Sequence, residues 1–297
     1  MKKRLLALVI AVFALLLLWR PEAAEEAVRG GLALCFQTVV PSLFPFFVVV
    51  SLLLQLGLGR WLGRLCAPLM GPLFHLSGAA VTPLIAGLIG GYPSGARTAA
   101  ELYREGTLSR EEAERCLAFV NNCGPAFALS FLGTAVFRSE GAGLALYLIH
   151  VLSALVTGLL LCRRGRSARR SLPLPPRRPL PRRTFSEMFT SAVTSSFAAT
   201  LNICAFVALF RAAVGVLPAH FPPAVLGFFE LVTGAASLRP DRAGFVTAAA
   251  LLSWGGLSVH CQTLSVIGEL SPRRHWVGKA LQAVLSAVIA LLIWPHI

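Results

Sequence analysis

The sequence predicts an all-α, polytopic membrane protein made of two inverted repeats, each with a re-entrant or broken helix segment, and three observations lead there. Of 297 residues, 56% are hydrophobic and only 13% charged, and the apolar runs are too long and too closely spaced for a soluble core. Those runs recur with lengths near the roughly twenty residues that cross about 30 Å of hydrocarbon at 1.5 Å per residue. Glycine- and proline-rich interruptions then fall at corresponding places in the two halves of the chain.

The first apolar run, residues 5–19, follows Lys2, Lys3 and Arg4. It has the outline of a signal peptide, but Arg20-Pro21-Glu22 offers no small-x-small cleavage box, although Ala23-Ala24 follow closely, so it reads as a retained anchor. Residues 20–29, with three glutamates, read as an external loop, and 32–56 as the returning span, which leaves Arg60 and Arg64 inside as the positive-inside rule prefers. A full crossing by residues 79–92 would carry the later arginine-rich stretch outside. That conflict disappears if 79–95 is re-entrant, because Gly90, Gly91, Pro93 and Gly95 forbid an unbroken helix.

Residues 97–115 are then cytoplasmic, with Gly106 closing a short helix and Ser109 with Glu112 forming the capping box of the next. Spans at 117–137 and 144–162 follow. Nine arginines and five prolines between Arg163 and Arg183 form a cytoplasmic linker whose charge suits anionic lipid heads. The net charge of +14 is concentrated at such edges, and no aromatics interleave the arginines, so nucleic acid is not an expected partner. In the second half, 189–214 and 245–267 read as spans, 222–238 as the second re-entrant segment, Arg273, Arg274 and Lys279 as an inside edge, and 280–294 as the last span.

The expected organisation is an anchor and external loop (1–29), a first membrane repeat (30–162), the basic linker (163–184) and a second repeat (185–297). Gly90-Gly91-Tyr92-Pro93-Ser94-Gly95 beside Thr233-Gly234-Ala235-Ala236-Ser237, and Asn122-Cys123-Gly124-Pro125 beside Trp254-Gly255-Gly256-Leu257, are weak internal echoes. Such architectures recur in secondary transporters, where broken helices meet near the midplane.

Irregular backbone at membrane depth must be buried in protein or line a watery cavity. Gly90, Gly91, Tyr92, Pro93, Ser94 and Gly95 are therefore either a substrate cradle of backbone donors or a helix crossing of small residues. Asn121 and Asn122, followed by Gly124-Pro125, interrupt the span at 117–137 near its cytoplasmic end, and they carry donors and acceptors that hydrocarbon cannot satisfy; they face substrate or bond between helices. In the second half the polar candidates are Asn202, Glu230, Thr233, Gly234, Ser258, His260 and Gln262. Glu230 is the one carboxyl well inside an apolar segment, where burial favours its neutral form and suits a proton or cation relay. His260 also reads as a packing histidine, and Arg97 either attracts a carboxylate or snorkels to the interface.

The seven cysteines form no C-x-x-C pair and read as small hydrophobes, and neither metal nor cofactor is expected. Tyr92-Pro93-Ser94-Gly95 is superficially like the G-x-S-G of intramembrane serine proteases, with His260 or His150 as base, but it lacks the first glycine, and no H-E-x-x-H, carboxylate pair or nucleotide loop accompanies it. An enzyme is not expected.

The blocks Val40-Pro41-Ser42-Leu43-Phe44-Pro45-Phe46-Phe47, Gly90 to Ala96, Asn121-Asn122-Cys123-Gly124-Pro125 and Gly255-Gly256-Leu257-Ser258-Val259-His260-Cys261-Gln262 resemble, in order and spacing, the YlbJ-type sporulation integral membrane proteins of the nucleoside-recognition (Gate) superfamily. The resemblance implies an endospore-forming bacterium, a multi-pass protein of a forespore-associated membrane, and kinship with nucleoside carriers built on paired re-entrant hairpins. It also implies export of dipicolinic acid toward the forespore. The expected function is transport of a small polar or anionic solute across the bilayer; the alternative is a non-transporting scaffold or assembly factor of the sporulation membrane. No residue here chooses a nucleoside over a carboxylate.

Overall fold

A computed structural model describes residues 2–162, 184–217 and 221–293. The basic linker expected at 163–184 lies outside them except for Thr184. Among the described residues all regular structure is helical.

Helix α1 (Lys2–Trp19) covers the first apolar run. Residues 20–29, expected as a loop, are instead helical: α2 (Pro21–Leu34) passes through a π-helical turn (Cys35–Val39) into α3 (Val40–Gln55) without a break. Pro21 at the first turn and the alanines and glutamates behind it are good helix formers. Packing along α9 (Phe185–Gly215) adds to this: a Cβ on Gly31 would stand 3.0 Å from Arg211 Cδ and 3.6 Å from Val207. The π turn bonds Val40 N–H to Cys35 C=O just ahead of Pro41, which has no N–H to continue the ordinary ladder.

Residues 58–74, which the sequence left unassigned, form the amphipathic helix α4 (Leu58–Phe74), exposing Trp61, Leu65 and Leu69 while burying Met70 and Phe74. The chain then bends by 113° between Arg64–Phe74 and Gly78–Gly90. Helix α5 (Val81–Gly90) turns back at Gly91–Pro93 into α6 (Ser94–Arg104), so the expected interruption is a helical hairpin. Gly106 takes a positive φ of 72° behind α6, and Ser109 and Glu112 form the expected capping box of α7 (Arg110–Cys116).

The expected span at 117–137 is not one helix. Residues 117–124 are irregular, and the chain winds up again at Pro125 and Ala126 and continues as π-helix over Phe127–Val136. Pro125 withholds an N–H there, and the Asn122 side chain turns back to the Phe119 carbonyl (2.8 Å). Helix α8 (Glu140–Cys162) is continuous. After α9 come α10 (Pro223–Phe229) and α11 (Leu231–Ala236), then α12 (Arg242–Trp254) and α13 (Gly256–Ile267), and finally α14 (Arg273–Ile293). A short-helix pair, a broken helix and a continuous helix thus follow one another twice. Among the described residues, five helical segments are long and apolar enough to cross a membrane, or six if the bent pair counts as one.

Backbone packed on backbone holds the first set together. A Cβ on either Gly87 or Gly95 would collide with the Val120 carbonyl, and one on Gly91, already at φ 75°, would lie 3.1 Å from Gly124 N. The second set uses the same device: a Cβ on Gly256 (φ 77°) would lie 2.9 Å from Leu231 N, and one on Gly234 would strike the Gly227 backbone. Arg115, buried in the core around Phe74 and Phe119, donates to the carbonyls of Phe74 and Cys162 and so closes the ends of α4 and α8 with one guanidinium.

Gly95→Ala should therefore lower stability by about 1–3 kcal/mol, the usual cost of overpacking, whereas Gly71→Ala, whose Cβ meets nothing within 4 Å, should be neutral or slightly stabilising; thermal unfolding in detergent compares them. A second expectation concerns Glu112. Burial pushes its carboxyl up, but donors from Ser109 and Ser77 outweigh that and hold it below the ordinary value of 4.5. Its contribution is present above that value and disappears as pH falls through the lowered one, so Glu112→Gln should unfold earlier than wild type at pH 7 and converge with it in acid.

Candidate functional site

The tips of the two hairpins, from separate halves of the chain, line one cavity. Gly91 and Tyr92 come from the first tip, Glu230, Leu231 and Val232 from the second, with Cys123 and Gly124 from the first break and Ser258 and Gln262 from α13. The cavity is about 50 Å³, above the roughly 10–15 Å³ that a single water needs. The Ser258 hydroxyl, 1% exposed, has no hydrogen-bond partner.

Each tip is held by its own bonds. In the first, Gly91 N–H goes to Gly87 C=O (3.0 Å) and Ser94 N–H to Gly91 C=O (2.8 Å), so those two donors close the turn and do not face the cavity. Tyr92 reaches the Leu252 carbonyl on α12, and Tyr147 satisfies the Leu88 carbonyl (3.0 Å). In the second, Glu230 sits extended between α10 and α11 and accepts from Val232 N–H (2.9 Å) and Thr233 N–H (2.6 Å), so each oxygen caps α11. Glu230 also borders a second cavity of about 160 Å³, with Arg211 and Thr233 on its wall. Thr233 Oγ1 is buried without a partner.

Behind the first tip lies a buried polar network. Lys279, 1% exposed on α14, donates to the Asn121 carbonyl (3.0 Å) and to Gln282 Oε1 (2.8 Å); Gln282 Nε2 then donates to Asn122 Oδ1 (3.2 Å) and the His150 carbonyl (3.3 Å). Asn121 Nδ2 donates to Thr263 (2.8 Å). Gly278 lets α14 come this close, since a Cβ there would strike the Ala118 carbonyl.

Hydrogen-bond logic fixes the His150 tautomer. Cys123 N–H can only donate, so His150 Nε2 accepts (3.0 Å). Ser153 gives its one hydrogen to the His150 carbonyl (2.9 Å), which obliges Ser286 to donate to Ser153 (2.6 Å), Ser253 to Ser286 (2.5 Å), and Nδ1–H to Ser253 (3.1 Å). Starting from either end, His150 is the neutral Nδ1–H form.

Not every residue singled out from sequence arrives here. Asn202 and Arg97 are exposed and away from the cavity: α9 turns Asn202 outward, and Arg97 sits on the outer side of α6. His260 bonds His275 (Nδ1 to Nε2, 2.9 Å) and packs between Trp254 and Trp276, with ring centroids 4.4 and 4.1 Å away. Gly234 packs on Gly227, and Gly90, Pro93, Ser94 and Gly95 form the hairpin turn instead of the cavity wall. Lys279, expected at the inside edge beside Arg273 and Arg274, is buried, because the two arginines begin α14 and Lys279 lies almost two turns further in. The sequence reading also missed Gln282, Ser253 and Ser286. A lone lysine and glutamine in an otherwise apolar run was the available signal.

Ser286→Ala strands the Ser253 donor in the interior and should cost about 1–3 kcal/mol, while exposed Thr194→Ala should change stability by less than about 0.5 kcal/mol; denaturant titration of both variants in detergent measures the difference.

Two comparisons agree with this architecture. The nucleoside recognition (Gate) family matches residues 36–140, from the π turn through the first hairpin and break to the start of α8. The sporulation integral membrane protein YlbJ of Bacillus subtilis (strain 168) is 28% identical, over 97% of this chain and 82% of its own length. No solved structure matches. The chain is a multi-pass membrane protein that matches the nucleoside recognition (Gate) family over residues 36–140 and is similar along nearly its whole length to one sporulation integral membrane protein.

Proposed function

We propose that the protein is a carrier for a small polar or anionic solute in a membrane of the sporulating cell, with the solute held between the two hairpin tips. The observation that carries this reading is the shared cavity: two broken segments, more than a hundred residues apart, present their tips to one space. If the two repeats are inverted, one tip rises from the cytoplasmic side and the other descends from outside, so that rocking one half against the other exposes the same site to either face. The basic linker at 163–184 then stays cytoplasmic and rests against anionic lipid heads. Relationship to a sporulation membrane protein makes dipicolinic acid the first solute to try.

The volume bears on mechanism. At about 50 Å³ the cavity is far below the roughly 300 Å³ at which solute pockets begin, so the tips must separate to load. The same small volume favours the second reading, a scaffold or assembly factor whose buried polar groups serve packing.

Flux decides between them. In reconstituted vesicles, uptake of labelled pyridine-2,6-dicarboxylate and of uridine is compared for wild type, Gly91→Leu and Asn122→Ala. The carrier reading expects at least a tenfold loss in both variants for whichever solute the wild type moves, since Leu at φ 75° displaces the tip and Ala removes the Gln282 partner. Unchanged flux at normal protein levels, or no flux from the wild type, leaves the scaffold ahead.

A further inference from the structure

Helix α9 is 31 residues long and apolar enough to cross a membrane. One of its faces is occupied: Ser196, Thr200, Cys204 and Val207 are buried, Val207 and Arg211 meet Gly31 of α2, and the Phe197 ring stands edge-on to Phe44 of α3 with centroids 6.1 Å apart. The opposite face is open, and Asn202 stands on it. Gly215, the nearer end of the helix, is thirteen positions further on, roughly 20 Å at 1.5 Å per residue, so Asn202 lies well inside a hydrocarbon layer about 30 Å thick.

Other exposed polar groups of α9 are satisfied within the helix. Thr194 Oγ1 donates to the Thr190 carbonyl (2.9 Å) and Ser195 Oγ to the Ala192 carbonyl (3.2 Å). Asn202 makes no hydrogen bond to any described residue. Its two N–H donors and its carbonyl oxygen are bare at a depth where no water is at hand, which is costly unless a neighbouring helix supplies the partners. The surroundings suit such a neighbour: Ser195, Ala198, Ala199 and Ala205 are exposed around Asn202 at helical spacing, and small side chains let a second backbone come close. By contrast α8 turns Leu144, Leu148 and Leu152 outward, and α14 turns Val277, Val284 and Val288, bulky apolar groups that are at home in lipid.

We propose that a second copy of this chain packs on the open face of α9, with the Asn202 carboxamide of each copy donating to and accepting from its counterpart. Two arguments select a second copy. Copies inserted with one orientation are related by an axis along the membrane normal, so their α9 helices run parallel and a residue near the axis meets itself. A carboxamide is its own complement, donor to acceptor in both directions, and α9 carries no charged side chain between Glu187 and Arg211 that a different partner would have to answer. The pairing does not depend on whether a solute moves.

Förster transfer between separately labelled copies of the full chain in vesicles, followed as added lipid dilutes the protein, tests it. Wild type should keep its transfer on dilution. Asn202→Leu should weaken self-association at least tenfold, and Ala198→Phe, which wedges the helices apart, should do the same; Asn202→Gln, which keeps the carboxamide, should stay within a few-fold of wild type, and Leu148→Ala on the outer face of α8 should change nothing. All three positions are exposed, and an unchanged thermal unfolding curve checks that each variant folds. Wild-type transfer that falls on dilution as for copies mixed at random, the result if lipid or another protein covers this face, overturns the proposal. Self-association that both Asn202→Leu and Ala198→Phe leave intact overturns it as well.

Discussion

The rest of the structure depends on one contact between backbones: the Val120 carbonyl lodged between Gly87 and Gly95, with Gly91 against Gly124. A chain inside a bilayer that interrupts its helices must bury the interruption in protein, because no water is at hand for freed N–H and C=O groups. Glycines four residues apart make that possible here. They bring the hairpin α5–α6 close enough to cover the irregular stretch 117–124, and Ala118 of the same stretch then receives α14 at Gly278. Any side chain at these crossings would hold the elements apart and open the break.

Covering the break leaves polar groups to satisfy, and side chains from distant helices do it. Lys279 takes the Asn121 carbonyl, His150 takes the Cys123 N–H, and Tyr92 takes the Leu252 carbonyl across to the second half. The same bonds that stabilise the break therefore couple the first hairpin to α8, α12 and α14. A buried network of this kind fixes geometry when every member is paired, and the exceptions stand out. Ser258 Oγ lies at the central cavity and Thr233 Oγ1 at its neighbour, both without partners. Other buried polar atoms without a partner, Asn121 Oδ1 in the network itself and Thr157 Oγ1 on α8 among them, lie away from both cavities.

Much of this was legible in advance, for identifiable reasons. The capping box at Ser109 and Glu112, the left-handed Gly106, and the stop at Gly90–Pro93 depend on local backbone chemistry, and local chemistry is written in adjacent residues. The helical nature of 21–34 and the amphipathic α4 were missed because charge was read as exposure to water on a loop. In fact Pro21, the alanines and the glutamates favour helix on their own, and packing of Gly31 on α9 reinforces them. The span expected at 117–137 is interrupted where Asn121-Asn122 and Gly124-Pro125 announce it, but the irregular stretch begins already at 117, because hydropathy measures what a segment can dissolve in, not whether its hydrogen bonds run in one ladder.

By itself the sequence determined that the chain lives in a membrane, that a helix must stop at Gly90–Pro93, and which residue blocks recur at the breaks, since these follow from composition, glycine and proline. Tertiary structure alone decided which polar residues belong together. Asn202 and Asn122 are equally polar in sequence, yet one faces outward from α9 while the other is sealed against Gln282, and Lys279 passes from an apparent flank to the interior by lying almost two turns into α14. The physical reason is that a helix assigns faces through packing against neighbours far away in the chain. In this protein those neighbours are set by where glycine lets two backbones touch.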